Sequence, residues 1–287
     1  MKKYYVFIPN LFIIFLSFFF PAILFASSVI SISPENIIQG DPVMVTITST
    51  STPTKIIFDN RNIPIIIYDG KPHGLIAVDI NKKSGTYGLQ VIFSNGEKIS
   101  QDIVVGAREK IEAPLGIPEK LGGNTVAAGK SLVSNLTKEN AILNNLKTGT
   151  HAFWMKSFVA PLKNLIVTDF YGYNRKTGEY TIPHKGIDFR AVTGTKVYAM
   201  NRGVVRLART YTIYGKTIVV DHGFGLQTLY MHLSKIYVNE GQLVLPGQLI
   251  GLSGMTGYAD QPHLHISVKI NGVSIDPEVF MKFFGVM

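Results

Sequence analysis

Residues 261–272 read QPHLHISVKING, and two of the chain's seven histidines, His263 and His265, stand one residue apart inside them. The surrounding residues have the apolar, β-branched character of a strand. On a strand, residues i and i+2 face the same way about 7 Å apart, so the two imidazoles stand side by side over one groove. A buried imidazole needs partners at both ring nitrogens, and two adjacent ones double that demand, which argues against a plain core position. The spacing suits one metal ligand beside a neighbour that reaches a metal-bound water. An exposed strand face that happens to carry two histidines is the alternative.

Strands of the same kind continue outward on the amino-terminal side. From about Phe153 onward, NLIVTDF, HKGIDFRA, TKVYAM, GVVRLAR, KTIVVDH, LQTLYMHL and QLIGLSG succeed one another, with turn signals every 8 to 12 residues or so and almost no helical period. Residues 151–287 are therefore expected to form one all-β domain. Five of the seven histidines, His184, His222, His232, His263 and His265, fall within these strands. With no cysteine in the chain, a metal site has only His, Asp and Glu to draw on.

His184 and Asp188 lie four apart, about 13 Å in an extended strand, which is too far for two atoms that each sit about 2 Å from one ion. Gly186 is the residue expected to curl the chain between them. A surface salt bridge with Lys185 or Arg190 is the plainer reading of Asp188. His232 shares a strand face with Tyr230. His222, beside a glycine turn, reads as structural, and His73, between Pro72 and Gly74, as a loop residue.

Four further segments follow from composition. Residues 1–26 carry Lys2 and Lys3, an apolar run and then small residues, the pattern of an export signal peptide or, uncleaved, an N-terminal anchor. The rest is then exported to the periplasm or cell envelope, possible inner-membrane association included. Residues 29–106 alternate in short β-like runs, with Asn95-Gly96 as a type I′ hairpin signal and Tyr87 placed like the tyrosine corner of immunoglobulin-like sandwiches. Residues 107–150 read as a Pro/Gly-rich linker to about 123 and then an amphipathic helix with Leu132, Leu136, Leu143 and Leu146 on one face, packed on the following domain. The net charge of +9 is scattered rather than clustered. It excludes nucleic acid as an expected partner of an exported chain and fits an anionic envelope polymer or membrane surface, or simply a solvated basic surface.

HKGID, TLYMHL and PHLH, in that order, resemble the lysostaphin or LytM family of zinc metallopeptidases that cut peptidoglycan cross-links. GTKVYAMNRGVV, KTIVVDHGFGLQTLYMHLSKIYVNEGQLVLPGQLIG and INGVSIDPEVF extend the likeness over about Trp154 to Phe280, and LTKENAIL with WMKSFVAPL resembles what precedes that domain in Gram-negative members. Together with the segments read above, it gives a mainly β fold class: a small immunoglobulin-like β-sandwich and a linker helix, followed by the antiparallel β-sheet LytM-type peptidase domain that the resemblance implies. It implies His184, Asp188 and His265 as ligands of Zn2+, His232 and His263 as catalytic histidines, and a vacant fourth position on the metal for water. The implied activity is a murein endopeptidase acting on peptidoglycan peptide stems, D,D-specific, by attack of a zinc-bound water.

Two departures stand out. Tyr258-Ala259-Asp260-Gln261 replaces the usual small residues and Gly before Pro262-His263, which alters the groove wall. Ser267 stands where many members have Glu, which is expected to weaken the bond that steadies a ligand from behind. The alternative function is an inactive peptidoglycan-binding or amidase-activating module of the same fold. A regulatory partner of the N-terminal β domain, and cover of the groove by that domain or by residues 107–150, are further expectations.

Overall fold

A computed structural model describes residues 1–2, 28–154 and 157–287. Apart from residues 1 and 2, the leader expected over residues 1–26 lies outside the described residues. No helix among the described residues is long and apolar enough to cross a membrane.

Residues 29–106 fold into two sheets. One runs in the order Val29–Ser33, Pro42–Thr48, Lys71–Ala77, Ile65–Tyr68, and the other Ile37–Ile38, Lys98–Gly106, Gly85–Phe93, Pro53–Phe58, Arg61–Ile63. Alternation along the strands turns Val43, Val45 and Ile47 inward to pack with Ile56, Val91 and Val105, all buried. The Tyr87 hydroxyl donates to Lys83 O at 2.6 Å, the backward bond of a tyrosine corner.

Two local expectations need correction. The Asn95-Gly96 hairpin forms, but only Gly96 has positive φ, and the Gly96 amide closes a turn onto Phe93 O. Three residues rather than two span the connection, the form in which a type I turn ends on a left-handed glycine. His73 is not in a loop. The turn lies earlier, at Asp69-Gly70, both with positive φ, so His73 is buried within the strand Lys71–Ala77, opposite Thr46 and Ile66.

The linker is pinned rather than free: Glu112–Pro114 pairs in parallel with Asn174–Thr177, which pairs with Tyr180–Pro183. Helix α1, Val126–Asn144, begins where Thr125 Oγ1 accepts the Ala128 amide. Its apolar stripe is buried at Leu132 and Leu143, half-buried at Leu136, and packs on Ile213 and on Leu207, Val219, Leu229 and Met231. Leu146 lies past its end.

The remainder is built on an antiparallel sheet in the order Val167–Asp169, Ile187–Arg190, His263–Ile270, Leu226–Leu233, Lys216–Gly223, Gly203–Thr210, Leu243–Val244. Its central strands are buried along nearly their whole length, with Ile187, Phe189, Tyr230, Ile266 and Val268 in the core beneath helix α2, Pro277–Phe283. Residues 29–106 dock on this body through Tyr68, whose ring meets Trp154 and Phe284, and Arg108, just past them, bridges the two, its Nη2 reaching Asp41 at 2.8 Å and Asp276 at 3.0 Å.

Candidate metal centre

Strand register builds the site. Ile187–Arg190 runs antiparallel to His263–Ile270 with Asp188 directly opposite His265 and Arg190 opposite His263, and Met231, the residue before His232, opposes His265 on its other side. Directly opposed residues on one face bring their side chains to contact distance. His184 arrives by a bend after Tyr180–Pro183, pinned by its amide on Tyr173 O and by its own carbonyl, which accepts the Gly172 amide. The bend falls at Gly186, as expected, but not through left-handed backbone: Gly186 is absent from the positive-φ residues. Glycine is required there by close approach, since a Cβ would lie 2.3 Å from His265 Nε2 and 2.5 Å from Ile266 O.

His184, Asp188 and His265, all buried, converge on one point. His265 Nδ1 is 2.7 Å from Asp188 Oδ1, His184 Nε2 is 3.3 Å from the same oxygen, and the two nitrogens are 3.0 Å apart. Donors about 2.0 to 2.1 Å from a tetrahedral ion stand about 3.3 Å from one another, so the triangle has the size of one face of a zinc site. The neighbours decide where the protons are. His184 Nδ1 faces a carbonyl, Phe170 O at 2.8 Å, and must donate to it. Ser267 Oγ donates to Lys185 O and therefore accepts from His265 Nε2 at 2.8 Å. Both rings then turn bare nitrogens toward an ionised carboxylate. Burial holds His265 neutral, down to about 4, against the pull of Asp188. Burial alone would raise Asp188; His184 and His265, whenever their facing nitrogens carry protons instead, hold it well below the usual carboxylate range. Three lone pairs at these distances repel unless a cation lies among them, so the donor set fits a divalent metal.

Arg175 was not anticipated. Its Nη2 donates to Asp188 Oδ2 at 2.6 Å and to Asp169 Oδ2, leaving Oδ1 as the oxygen that faces the histidines. No motif announces it, because Asp169 and Arg175 meet only after the strand Asn174–Thr177 has paired. Ser267, expected to weaken the support of His265, instead supplies it by hydroxyl.

His263 and His232 stand beside the triangle. His263 Nδ1–H donates to Gln261 O at 2.8 Å, and its Nε2 lies 3.7 Å from Asp188 Oδ1. His232 Nδ1–H donates to Thr256 O at 2.8 Å, and its ring centre lies 4.8 Å from that of His263. Burial, then the neighbouring His263 and His265, push His232 well below the ordinary imidazole range. His232 also has φ +59°, a left-handed conformation that a side-chain-bearing residue keeps only when its surroundings impose it. His222 is structural as expected: fully buried, Nδ1–H on Arg202 O and Nε2 2.9 Å from Thr228 Oγ1, remote from the triangle's hydrogen bonds.

Cavities flank the cluster. One of about 310 Å³ reaches His184, His232 and His265 and is walled by Val133, Leu136 and Asn140 of α1. Another of about 160 Å³ reaches Asp188 and His263 and is walled by Tyr258, Asp260 and Gln261. Residues 107–150 thus wall the groove, while the N-terminal sandwich docks around Trp154 and Phe284.

Residues 182–277 match the model of Peptidase family M23. The peptidoglycan DD-endopeptidase ShyA of Vibrio cholerae is 47% identical over 90 residues, covering 31% of this chain and 21% of that protein. The DD-carboxypeptidase/endopeptidase Mpg of Neisseria meningitidis is 36% identical over 120 residues, 42% of this chain and 28% of that protein. The chain thus spans only about a fifth to somewhat over a quarter of the length of these curated relatives. A solved Pseudomonas aeruginosa protein described as a candidate M23 peptidase superposes with TM-score 0.60 at 25% identity, over 87% of this chain and 96% of that one. His184, Asp188, His232, His263 and His265 all lie inside the matched span, so the whole cluster falls in the part of the chain that is similar to Peptidase family M23.

Proposed function

We propose that the chain is a zinc-dependent murein endopeptidase that hydrolyses the peptide cross-links of peptidoglycan with D,D specificity, working in the periplasm or cell envelope. The observation that carries this reading is the convergence of His184 Nε2, Asp188 Oδ1 and His265 Nδ1 as three proton-free donors on a triangle of zinc-site size. The M23 match and the DD-endopeptidase relatives support it.

His184, Asp188 and His265 hold the ion. Bound zinc supplies Lewis acidity for the scissile carbonyl and lowers the pKa of a water toward about 7. His263, whose proton is committed to Gln261 O, presents bare Nε2 and takes the proton of the attacking water. His232 likewise presents bare Nε2, held neutral by burial, and accepts a hydrogen bond from the water to orient it, while the proton that His263 has taken passes to the leaving amine as the C–N bond breaks. Arg175 fixes Asp188 through Oδ2 and leaves Oδ1 to the ion. Peptide stems, which carry the cross-links, lie in the groove between α1 and the 258–261 loop.

Digestion of purified sacculi, with and without chelator, tests the reading by muropeptide chromatography. Cross-linked dimers fall and tetrapeptide monomers rise only while the metal is present. Accumulation of sugar-free peptides would point to amidase cleavage instead. His265→Ala abolishes zinc retention, whereas His263→Ala keeps zinc and loses turnover; a fully active His263→Ala enzyme would overturn the assignment.

A further inference from the structure

Glu139 is the odd residue in the buried stripe of α1. It sits between Leu136 and Leu143 at core spacing and is only 6% exposed. A carboxylate placed there needs donors on every side. It has them: Oε1 accepts the amides of Thr212 at 2.8 Å and Ile213 at 3.0 Å, and Oε2 those of Ile213 at 3.2 Å and Tyr214 at 3.1 Å. Successive backbone N–H groups curled around one anion form a nest, and here the anion comes from a helix outside the matched family span.

The turn so held, residues 211–215, has its carbonyls committed to the site. Tyr214 O accepts the His232 amide at 3.0 Å, and Ile213 O accepts the Tyr258 amide at 2.7 Å. Thr256 closes the circuit. Its hydroxyl accepts the Lys216 amide at 2.9 Å, while its carbonyl accepts His232 Nδ1–H. The two segments meet backbone to backbone: a Cβ on Gly215 would lie 2.4 Å from Thr256 O, and one on Gly257 2.3 Å from Ile213 O. Both hydrogen bonds that define His232, one at its amide and one at its ring, therefore end on segments that Glu139 holds directly or at one remove. That is the residue whose left-handed backbone has to be imposed by its surroundings.

We infer that Glu139 is a positioning residue of the metal site, clamping the 211–215 turn so that His232 keeps its backbone conformation and ring orientation. The role rests on the proposed function, in which His232 acts on the reacting water. It also gives α1 a second task beyond walling the groove: the helix completes a site that the matched domain alone leaves unsupported.

The test uses the full chain loaded with zinc, with Glu139→Gln, which keeps one acceptor oxygen, and Glu139→Leu, which keeps the bulk and none. On sacculi kcat falls about 10- to 100-fold in the Leu variant, the scale of a slightly misplaced catalytic group, with Gln between it and wild type. KM and zinc stoichiometry stay at wild-type values. Proton NMR of the His232 Nδ1–H gives a readout that does not depend on turnover: its exchange with solvent accelerates in both variants. The inference is overturned if both variants keep kcat within about twofold of wild type, if that exchange is unchanged, or if zinc is lost in step with kcat. Should the Leu variant fail to fold, the Gln variant decides by the same measures. A wild-type chain that binds zinc yet leaves sacculi intact would defeat the endopeptidase reading, and the NMR exchange would still decide the role of Glu139.

Discussion

Ser267 fixes both the tautomer and the tilt of His265, because its hydroxyl accepts a hydrogen bond from Nε2–H and donates one to Lys185 O. Removing it frees the ring to rotate and to carry its proton on the wrong nitrogen. Ser267→Ala is expected to weaken zinc binding about 10- to 100-fold in a chelator competition titration, with little change in thermal midpoint. His222 affects stability rather than chemistry. Burial lowers its pKa to about 4 in the folded protein, against about 6.5 unfolded. Between those values the unfolded chain binds a proton that the folded chain refuses. Its contribution is thus intact above pH 6.5 and lost as pH falls toward 4, amounting to about 3 kcal/mol. Urea midpoints at pH 7 and pH 4.5 are expected to differ less for His222→Gln than for wild type, and an equal difference would refute the account.

At the scale of elements, α1 stands or falls by its apolar stripe. Leu143 is 1% exposed and packs on Leu207, Val219, Leu229 and Met231 of the sheet. Leu143→Ala is expected to cost about 2 to 5 kcal/mol in chemical denaturation. The stripe was legible from leucine spacing, as were the strands and the five histidines, because period and side-chain chemistry are local properties. The bend at Gly186 was legible too, yet its cause was not: a strand 80 residues away supplies the imidazole that leaves no room for a Cβ. Asp169 and Arg175 were invisible for another reason: they lie close to each other and to Asp188 along the chain, but no regular spacing brings their side chains together. The linker strand Glu112–Pro114 went unread because the strand it pairs with, Asn174–Thr177, lies some 60 residues on. Glu139 did leave a trace, an acid where the helical period calls for an apolar residue, but its three amide partners are backbone groups of a distant turn and carry no side-chain signature.

The two domains meet across a seam where charge is buried. Arg108 lies against Asp41 and Asp276, with its guanidinium over the Tyr171 ring, and burial pushes the Asp41 carboxyl up to about 6 despite that cation. Arg108→Met strands two buried carboxylates and is expected to cost about 3 kcal/mol, read as a lower denaturation midpoint for the full chain. An unchanged midpoint would mean that the seam contributes nothing to holding the domains together. A further consequence lies in the pairing of Asp188 with His265 across adjacent strands. Sliding that ladder by a single residue would send the carboxylate and the imidazole to opposite faces of the sheet. Under the proposed function, metal capture would therefore double as a check on threading: a chain paired one residue out of register would lack the face that holds the ion.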